Sequence, residues 1–338
     1  MKHLIFVTLI MTFYISCSNS EDSNMSEASE WLVDRSDVTG QLNLFPLSNQ
    51  PEFKSVSEVS LSNEDLVAMV NFGSEIRVYP YAFTNSFEVV NDVFKNLNIS
   101  VSYCPITKSG ICFDRNMNGG VSTFRASGYL YNDNLMPYDE GTESIWSQMR
   151  QQAVFGPLKG TKFKTFNLIE TKWSTIKESF ASAKVFVGDK NGITKSKSSP
   201  PDDGNDDGNG EGAPGGGSFV YGVFYNSSNS LGIFEYKQFS GTKLYDFTAG
   251  NRNIIVVGDA SRRIISSYFT GNEGQFEVVA GEFPTVMVNK ENGSKYNIFG
   301  VAVSGPDRGQ RLESPKSFVA IWWAWKEFYD SFRFNKVE

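Results

Sequence analysis

Cys104 is the obvious nucleophile candidate in the chain, and Glu88/Asp92 and Asp139/Glu143, carboxylates spaced four apart, could be read as acid and base pairs. A thiol attacks as its thiolate, which requires a base, a cation or a helix N-terminus to depress its pKa. The chain has one histidine, His3, inside an N-terminal segment that reads as a removable signal. A mature protein without it has no imidazole, which excludes Ser-His-Asp and Cys-His catalysis and every His-containing metal site. Lys108 and Arg115 are the cations left to activate Cys104. Two carboxylates held about 5 to 9.5 Å apart can hydrolyse a glycoside without histidine. The enzyme classes left open are therefore a His-independent hydrolase using paired carboxylates and a remnant thiol-redox protein centred on Cys104. Against both stands plain architecture: a Cys before Pro105 at a strand end suits a small buried residue, and turns are rich in acids for structural reasons.

A wider set of polar side chains crowds the same stretch: Asn91, Asp92, Asp114, Arg115, Asn132, Asn134, Tyr138, Asp139, Glu143 and Gln148, with Glu88, Cys104 and Trp146 among them. Amides, carboxylates, Arg and aromatic rings on hairpin ends suit a polar ligand such as a small molecule, glycan or peptide. The same residues also suit Asx-turns and strand-end hydrogen bonds. Further on, Asp203, Asn205 and Asp207 match the start of a calcium loop and Glu211 its ninth position. Its twelfth position is Pro214 instead of Glu, so a flexible acidic stretch is the better reading, and no metal is assigned. Asp114 to Gly119 repeats the letters, but Arg125 stands at the twelfth place and a hairpin turn accounts for it. No cofactor is implied.

These residues must be positioned by elements that the local pattern foretells. LVAMVN and EIRVYP flank Phe72-Gly73-Ser74; ICFDR and VSTFRASG flank Asn118-Gly119; NLMPYD and ESIWSQ flank Glu140-Gly141-Thr142; VFGPL and TKFKTF flank Lys159-Gly160. Successive hairpins with few helices predict an α+β fold, mainly antiparallel β hairpins with a few peripheral helices. No parallel βαβ rhythm is visible. A hairpin pairing Cys104 with Ile111 would put Cys112 on the opposite face, which favours free thiols over a disulfide, although the compartment permits either.

Residues 188–217 combine glycine, adjacent prolines, serine and clustered aspartate, a linker composition. They divide an N-terminal domain, 29–187, from a C-terminal one, 218–338. The two look like related halves in tandem. GPLKGTKFKTFNLIETKWSTIKESFASAKV from Gly156 aligns without a gap to GPDRGQRLESPKSFVAIWWAWKEFYDSFRF from Gly305, and the identities include Gly156/Gly305, Trp173/Trp322 and Lys177/Lys326. In each copy a Gly-flanked basic turn leads through a strand into a helix with an apolar stripe: Trp173, Ile176 and Phe180, or Trp322, Trp325 and Tyr329. SFEVVND and QFEVVAG form a weaker second echo.

Met1-Lys2-His3 followed by an apolar run to Ile15 is too short for a membrane span of about 20 residues and reads as a secretion signal over 1–16. It ends in Ser16-Cys17, the pattern at which bacterial lipoprotein signals are cut and Cys17 takes up lipid; 17–28 then forms a polar tether. The expected location is extracytoplasmic, lipid-anchored at the outer membrane of a Gram-negative bacterium, with the membrane as a partner through the anchor. The 338-residue chain carries 31 Lys+Arg against 38 Asp+Glu, net -7, with 40% hydrophobic and 20% charged residues. That describes a globular chain without a basic footprint, so nucleic acid is excluded as a partner.

From residue 86 to 173 the ordered series Glu88, Asn91-Asp92, Tyr103-Cys104-Pro105, Phe113-Asp114-Arg115, Ser127-Gly128, Leu130-Tyr131-Asn132, Asn134-Leu135, Tyr138-Asp139, Thr142-Glu143-Ser144, Trp146-Ser147-Gln148 and Gly156 resembles the bacterial domain-of-unknown-function 3179 family of extracytoplasmic proteins. The resemblance implies a fold and a location, and no reaction. That family often has His where Phe87 stands and a second Cys where Thr107 stands. Any chemistry of a His with a dithiol or metal is absent here, which shifts the reading from enzyme to a ligand-binding or interaction module.

Overall fold

The computed structural model describes residues 30–117, 120–190, 214–225, 230–249 and 251–334. The signal, Cys17 and the calcium-like letters at 203–211 lie outside the described residues. In the N-terminal part, β1 (Val38–Gly40) and β2 (Pro51–Ser55) precede a hairpin of β3 (Leu66–Phe72) and β4 (Glu75–Pro80). A first meander follows: β5 (Val89–Phe94), β6 (Leu97–Cys104) and β7 (Ser109–Asp114). After the short pair β8 (Asn116–Met117) and β9 (Gly120–Val121) comes a second meander, β10 (Phe124–Tyr131), β11 (Asn134–Asp139), β12 (Ile145–Ser147) and β13 (Gln152–Phe155). β14 (Thr165–Phe166), β15 (Ile169–Lys172), helix α1 (Trp173–Ser179) and β16 (Lys184–Asp189) complete it.

The C-terminal part contains the hairpin β17 (Phe219–Phe224) and β18 (Leu231–Glu235), then the meander β19 (Lys243–Ala249), β20 (Arg252–Asp259) and β21 (Ile264–Thr270). A second meander is β22 (Phe276–Val278), β23 (Thr285–Asn289), β24 (Lys295–Asn297) and β25 (Ala302–Ser304). β26 (Ser317–Ile321), helix α2 (Trp322–Phe328) and β27 (Phe332–Phe334) end the described chain. The fold is α+β and β-rich, mostly antiparallel sheet with few helices. Among the described residues no helix is long and apolar enough to cross a membrane.

The helix-bearing sheets have matching orders, β15-β3-β4-β16-β2 and β26-β17-β18-β27. In each, the helix links an antiparallel edge strand to one that pairs in parallel with the hairpin, β16 on β4 and β27 on β18. β3 is buried along nearly its whole length, LVAMVN, and so reads as a continuous apolar run instead of an alternation. Each helix is only seven residues long. The first two amides of α1 donate to the carbonyls of Asp65 and Asn63, and those of α2 to Ser218 and Gly216, which fixes the helix starts without a side-chain cap.

The hairpins predicted at Gly73-Ser74, Glu140-Gly141-Thr142 and Lys159-Gly160 form; Asn118-Gly119 lie outside the described residues although β8 and β9 pair on either side. The Cys104 hairpin differs by two residues, pairing Cys104 with Ser109 and Ile111 with Ser102, because Pro105 to Lys108 make a four-residue turn. Cys112 still falls on the other face, and both thiols are free and buried. SFEVVND opens the first meander at β5 and QFEVVAG the second at β22, so these segments do not hold corresponding places.

Two hydrophobic cores run across the chain. In one, Trp173, Ile176 and Phe180 with Val67, Met69 and Val78 pack against Ile255, Ile264, Met287, Tyr296 and Phe299. In the other, Trp322, Trp325 and Tyr329 with Val220 and Leu231 pack against Phe113, Phe124, Leu135, Trp146 and Phe163. In two further cores each helix-bearing sheet packs on the first meander of its own part, whereas in these two it covers the meanders of the opposite part. At roughly 2 to 3 kcal/mol for a fully buried large apolar side chain, these contacts dominate the association of the two parts.

Candidate functional site

The tip of the β6–β7 hairpin meets β11 and the segment after β12 in a sealed polar network. The Asn134 amide donates to Thr107 Oγ1 at 2.9 Å and to Gln148 Oε1 at 2.8 Å, while its Oδ1 accepts the Met149 amide at 3.0 Å. Gln148 Nε2 donates to Ser102 Oγ at 2.9 Å, and Ser109 Oγ donates to Gln148 Oε1 at 2.6 Å. All five side chains are at most 1% exposed. Every strong group has a partner, so the network specifies the packing of two sheets and offers nothing to solvent. Thr107, at the place of the second Cys in the resemblance, is one of its members.

Cys104 lies beside this network, its Sγ accepting the Leu135 amide at 3.4 Å. Burial pushes its thiol up, and the Glu88 charge adds to the effect over the opposing hydrogen bonds. Neither Lys108 nor Arg115 lowers it. Thiolate chemistry would need the reverse shift.

A second group surrounds β5. Asn91 is fully buried; its amide donates to the carbonyls of Ser48 and Phe124, and its Oδ1 accepts from Ser100 Oγ and the Phe124 amide. Asp92 accepts from Arg77 and, at 2.7 Å, from Tyr79 Oη. The Arg77 guanidinium is held between the rings of Phe53 and Phe94. Arg115 directs its guanidinium to three carbonyls, of Ile99, Ser122 and Asp92, so it ties backbone together. Asp114 closes an Asx-turn on the Asn116 amide and pairs with Lys164. Asp139 accepts from the Gly141 amide, Thr142 Oγ1 and Ser122 Oγ.

The other expected residues are dispersed. Asn132 donates to the carbonyl of Glu327 in the C-terminal part. Trp146 is core, stacked on Phe163 at 4.1 Å. Tyr138 is partly buried, and Glu143 is exposed in a turn with φ 58°. Glu88 is mostly buried without a hydrogen-bond partner for its carboxyl, and burial raises its pKa to about 7. Thus the structure gathers Asn134, Gln148 and Cys104 in one place and Asn91, Asp92 and Arg115 in another, with Asp139 saturated in its own turn. Among the described residues no cluster of three His, Cys, Asp or Glu side chains could hold a metal.

Residues 43–201 match the model of the family described as protein of unknown function (DUF3179). The resemblance carried by the motif series is thereby shown, over just under half of the chain. No curated protein and no solved structure matches the chain. The DUF3179 segment contains both polar groups described above and one wall of an open cleft.

That cleft, about 280 Å³, lies where the two parts meet. Arg150, Gln151 and Lys162 line it from the DUF3179 segment, and Phe224, Lys316 and Asp330 from the C-terminal part. Sequence reasoning singled out none of these as a site, since they come from three separate stretches, 150–162, 224 and 316–330, that only folding brings together. The one available signal was the basic character of the turn after Gly160.

Proposed function

We propose that the protein is a lipid-anchored extracytoplasmic lipoprotein, tethered to the outer membrane through Cys17, which acts as a ligand-binding module made of two related halves in tandem, with its small-molecule site in the cleft between them. The observation that carries the binding reading is the saturation of the chemistry-bearing side chains: Asn91, Asp92, Arg115, Asn134, Asp139 and Gln148 all spend their hydrogen bonds inside the protein. A catalytic group must be free to reach substrate, whereas a scaffold holding a cleft is built this way.

The tandem reading draws support from details that recur at a nearly constant spacing. Gly156 and Gly305 both have positive φ, 86° and 84°, and a Cβ at either would stand within 2.8 Å and 2.6 Å of the Cα of Ser144 and Ser294 respectively. Those serines each accept a backbone amide, Leu158 on Ser144 and Asp307 on Ser294. The isolated bridges Gln152 to Lys162 and Val301 to Arg311 keep the same spacing. Two halves of common origin, with divergence concentrated in the C-terminal copy, explain why the family model matches only the first.

The anchor is tested by metabolic labelling with a palmitate analogue in the native host. Label on the wild type and none on Cys17→Ser, with release of the variant from membranes, is expected; label retained by Cys17→Ser overturns the anchor. The binding reading is tested by a thermal-shift screen of polar metabolites on the protein lacking residues 1–17. A saturable rise in Tm that Lys162→Gln removes supports it, and no hit across the screen counts against it.

A further inference from the structure

We infer that the cleft is an anion site whose ligand is a small hydroxylated carboxylate of the sugar-acid class. This rests on the binding reading above and adds to it the chemistry of the ligand.

The charges come first. Among the described residues Arg150, Lys162 and Lys316 have no ion-pair partner, and Asp330 is the only carboxylate that lines the cleft with them. Three cations converge on a small volume with one anion at its edge. Partial burial and the nearby Lys162 charge hold the Lys316 ammonium below the ordinary lysine pKa. Like charges crowded without internal compensation cost stability, and a bound anion removes that cost.

The corresponding place in the other half shows what a compensated version looks like. The matching bridges put Lys162 with Arg311, and the strand registers put Phe224 with Asn71. Arg311 donates to Asn71 Oδ1 and to the Phe299 carbonyl, so its charge is satisfied within the protein. At the cleft the acceptor has become Phe224. By the same spacing Phe299 is replaced by Arg150, and Asn167, which donates to Ser266 Oγ, by Lys316. One junction has a cation with internal partners; the other has three cations and an aromatic ring in place of the acceptor.

The rest of the lining narrows the anion. Gln151 is 3% exposed and its Oε1 has no hydrogen-bond partner. A buried amide oxygen left alone is costly, and a ligand hydroxyl would recover that cost. Phe224, Phe328 and Tyr329 border the cleft beside the cations, but its accessible lining is mostly polar, as suits a ligand that carries hydroxyls as well as charge. The volume, about 280 Å³, is at the small end of ligand pockets, roughly 300 to 1,000 Å³, and admits one ring and its carboxylate.

The test is calorimetry on the full mature chain with four probes: D-glucuronate, D-glucose, acetate and inorganic phosphate, each to about 10 mM, a range that reads millimolar affinity. Saturable glucuronate binding that weakens with salt, absent for glucose and acetate, is the expected result. Lys162→Gln/Lys316→Gln is expected to weaken it by about tenfold or more with a Tm no lower than that of the wild type, since the change removes crowded like charges. Equal binding of glucose overturns the acid requirement while leaving small-ligand binding standing; equal binding of phosphate overturns the carboxylate and hydroxyl chemistry. Glucuronate binding unaffected by the double variant, or no binding of any probe, overturns the site itself, and the metabolite screen then decides the wider reading separately.

Discussion

The carbonyl of Thr107 accepts the backbone amide of Ile321 at 3.0 Å, across the junction between the two parts of the chain. The reverse contact is present too: the carbonyl of Arg262 accepts the Lys172 amide at 3.4 Å. Thr107 and Arg262 occupy the tips of the β6–β7 and β20–β21 hairpins, and Lys172 and Ile321 are the last residues before α1 and α2. Each hairpin tip thus accepts an amide from the strand end that leads into the other part's helix.

That reciprocity predicts one cooperative unfolding unit. Each part has a core of its own, around Tyr79, Phe94 and Phe186 in one and Tyr221, Phe234 and Ile254 in the other, but each helix stripe is buried on the meanders of the opposite part, so either part alone exposes a large apolar face. Urea unfolding followed by tryptophan fluorescence and by far-UV circular dichroism should give coincident single transitions. Residues 29–187 expressed alone should be aggregation-prone, and co-expression with 218–338 should recover both as a soluble pair. Two separated transitions, or a stable soluble 29–187, would refute the shared core.

Much of this was legible locally and little of it globally. The turns at Gly73, Gly141 and Gly160 and the stripes of Trp173, Ile176 and Phe180 are short-range patterns, and they form as read. What the stripes pack against is a matter of contacts more than 70 residues away, which no periodicity encodes. Asn91 has the residue type and hairpin-end place of a ligand-binding residue, yet its partners Ser48 and Phe124 lie 43 and 33 positions away. An amide bonded at such distance looks the same in sequence as one facing a ligand. The cleft was invisible for the same reason, since Lys162 and Lys316 meet only after folding.

Close packing at the second helix gives a paired substitution. A Cβ on Gly222 would stand 2.6 Å from the indole of Trp325, whose Nε1 donates to the Val220 carbonyl at 3.3 Å. Gly222→Ala should cost about 1 to 3 kcal/mol by overpacking, and Trp325→Phe a comparable amount through lost area and the lost hydrogen bond. The double variant should be more stable than the sum of the two, because the smaller ring makes room. Chemical denaturation of the four proteins reads the coupling; simple additivity would show that the backbone moves aside instead.

The ion pair of Arg77 with Asp92 should be worth little by itself and much when half broken. Asp92 is 4% exposed, and the Arg77 side chain is enclosed by aromatic rings. Arg77→Met leaves a buried carboxylate with only Tyr79 as donor and should cost about 3 to 5 kcal/mol. Arg77→Met/Asp92→Asn should recover a good part of that. A single variant as stable as wild type would mean that water reaches Asp92 in solution.

The cysteines should behave as core residues. Cys104 and Cys112 are 1% and 0% exposed, in different cores, and burial raises both thiols. A chromogenic disulfide reagent should label neither in native protein and both in guanidinium. Fast labelling of Cys104 in the folded state would reopen thiol chemistry.

Glu88 gives the stability curve its slope near neutrality. Its folded pKa of about 7 lies above the ordinary 4.5 because burial disfavours the charged form. Between those values the folded state holds the proton more tightly than the unfolded chain does. The stabilising contribution is complete below the unfolded pKa and is lost as pH rises through the folded one. Burial also raises the carboxyl of Glu170, so the wild type should lose stability from pH 5 to 8 through both groups. Glu88→Gln keeps the shape and removes one titration. It should flatten the curve and stabilise the protein above pH 7 by on the order of 1 to 3 kcal/mol, the lower end applying if solvent screens the carboxylate. Urea midpoints at half-unit pH steps measure this. If wild type and variant keep the same separation at pH 5 and pH 8, Glu88 is not the buried acid that the geometry makes it.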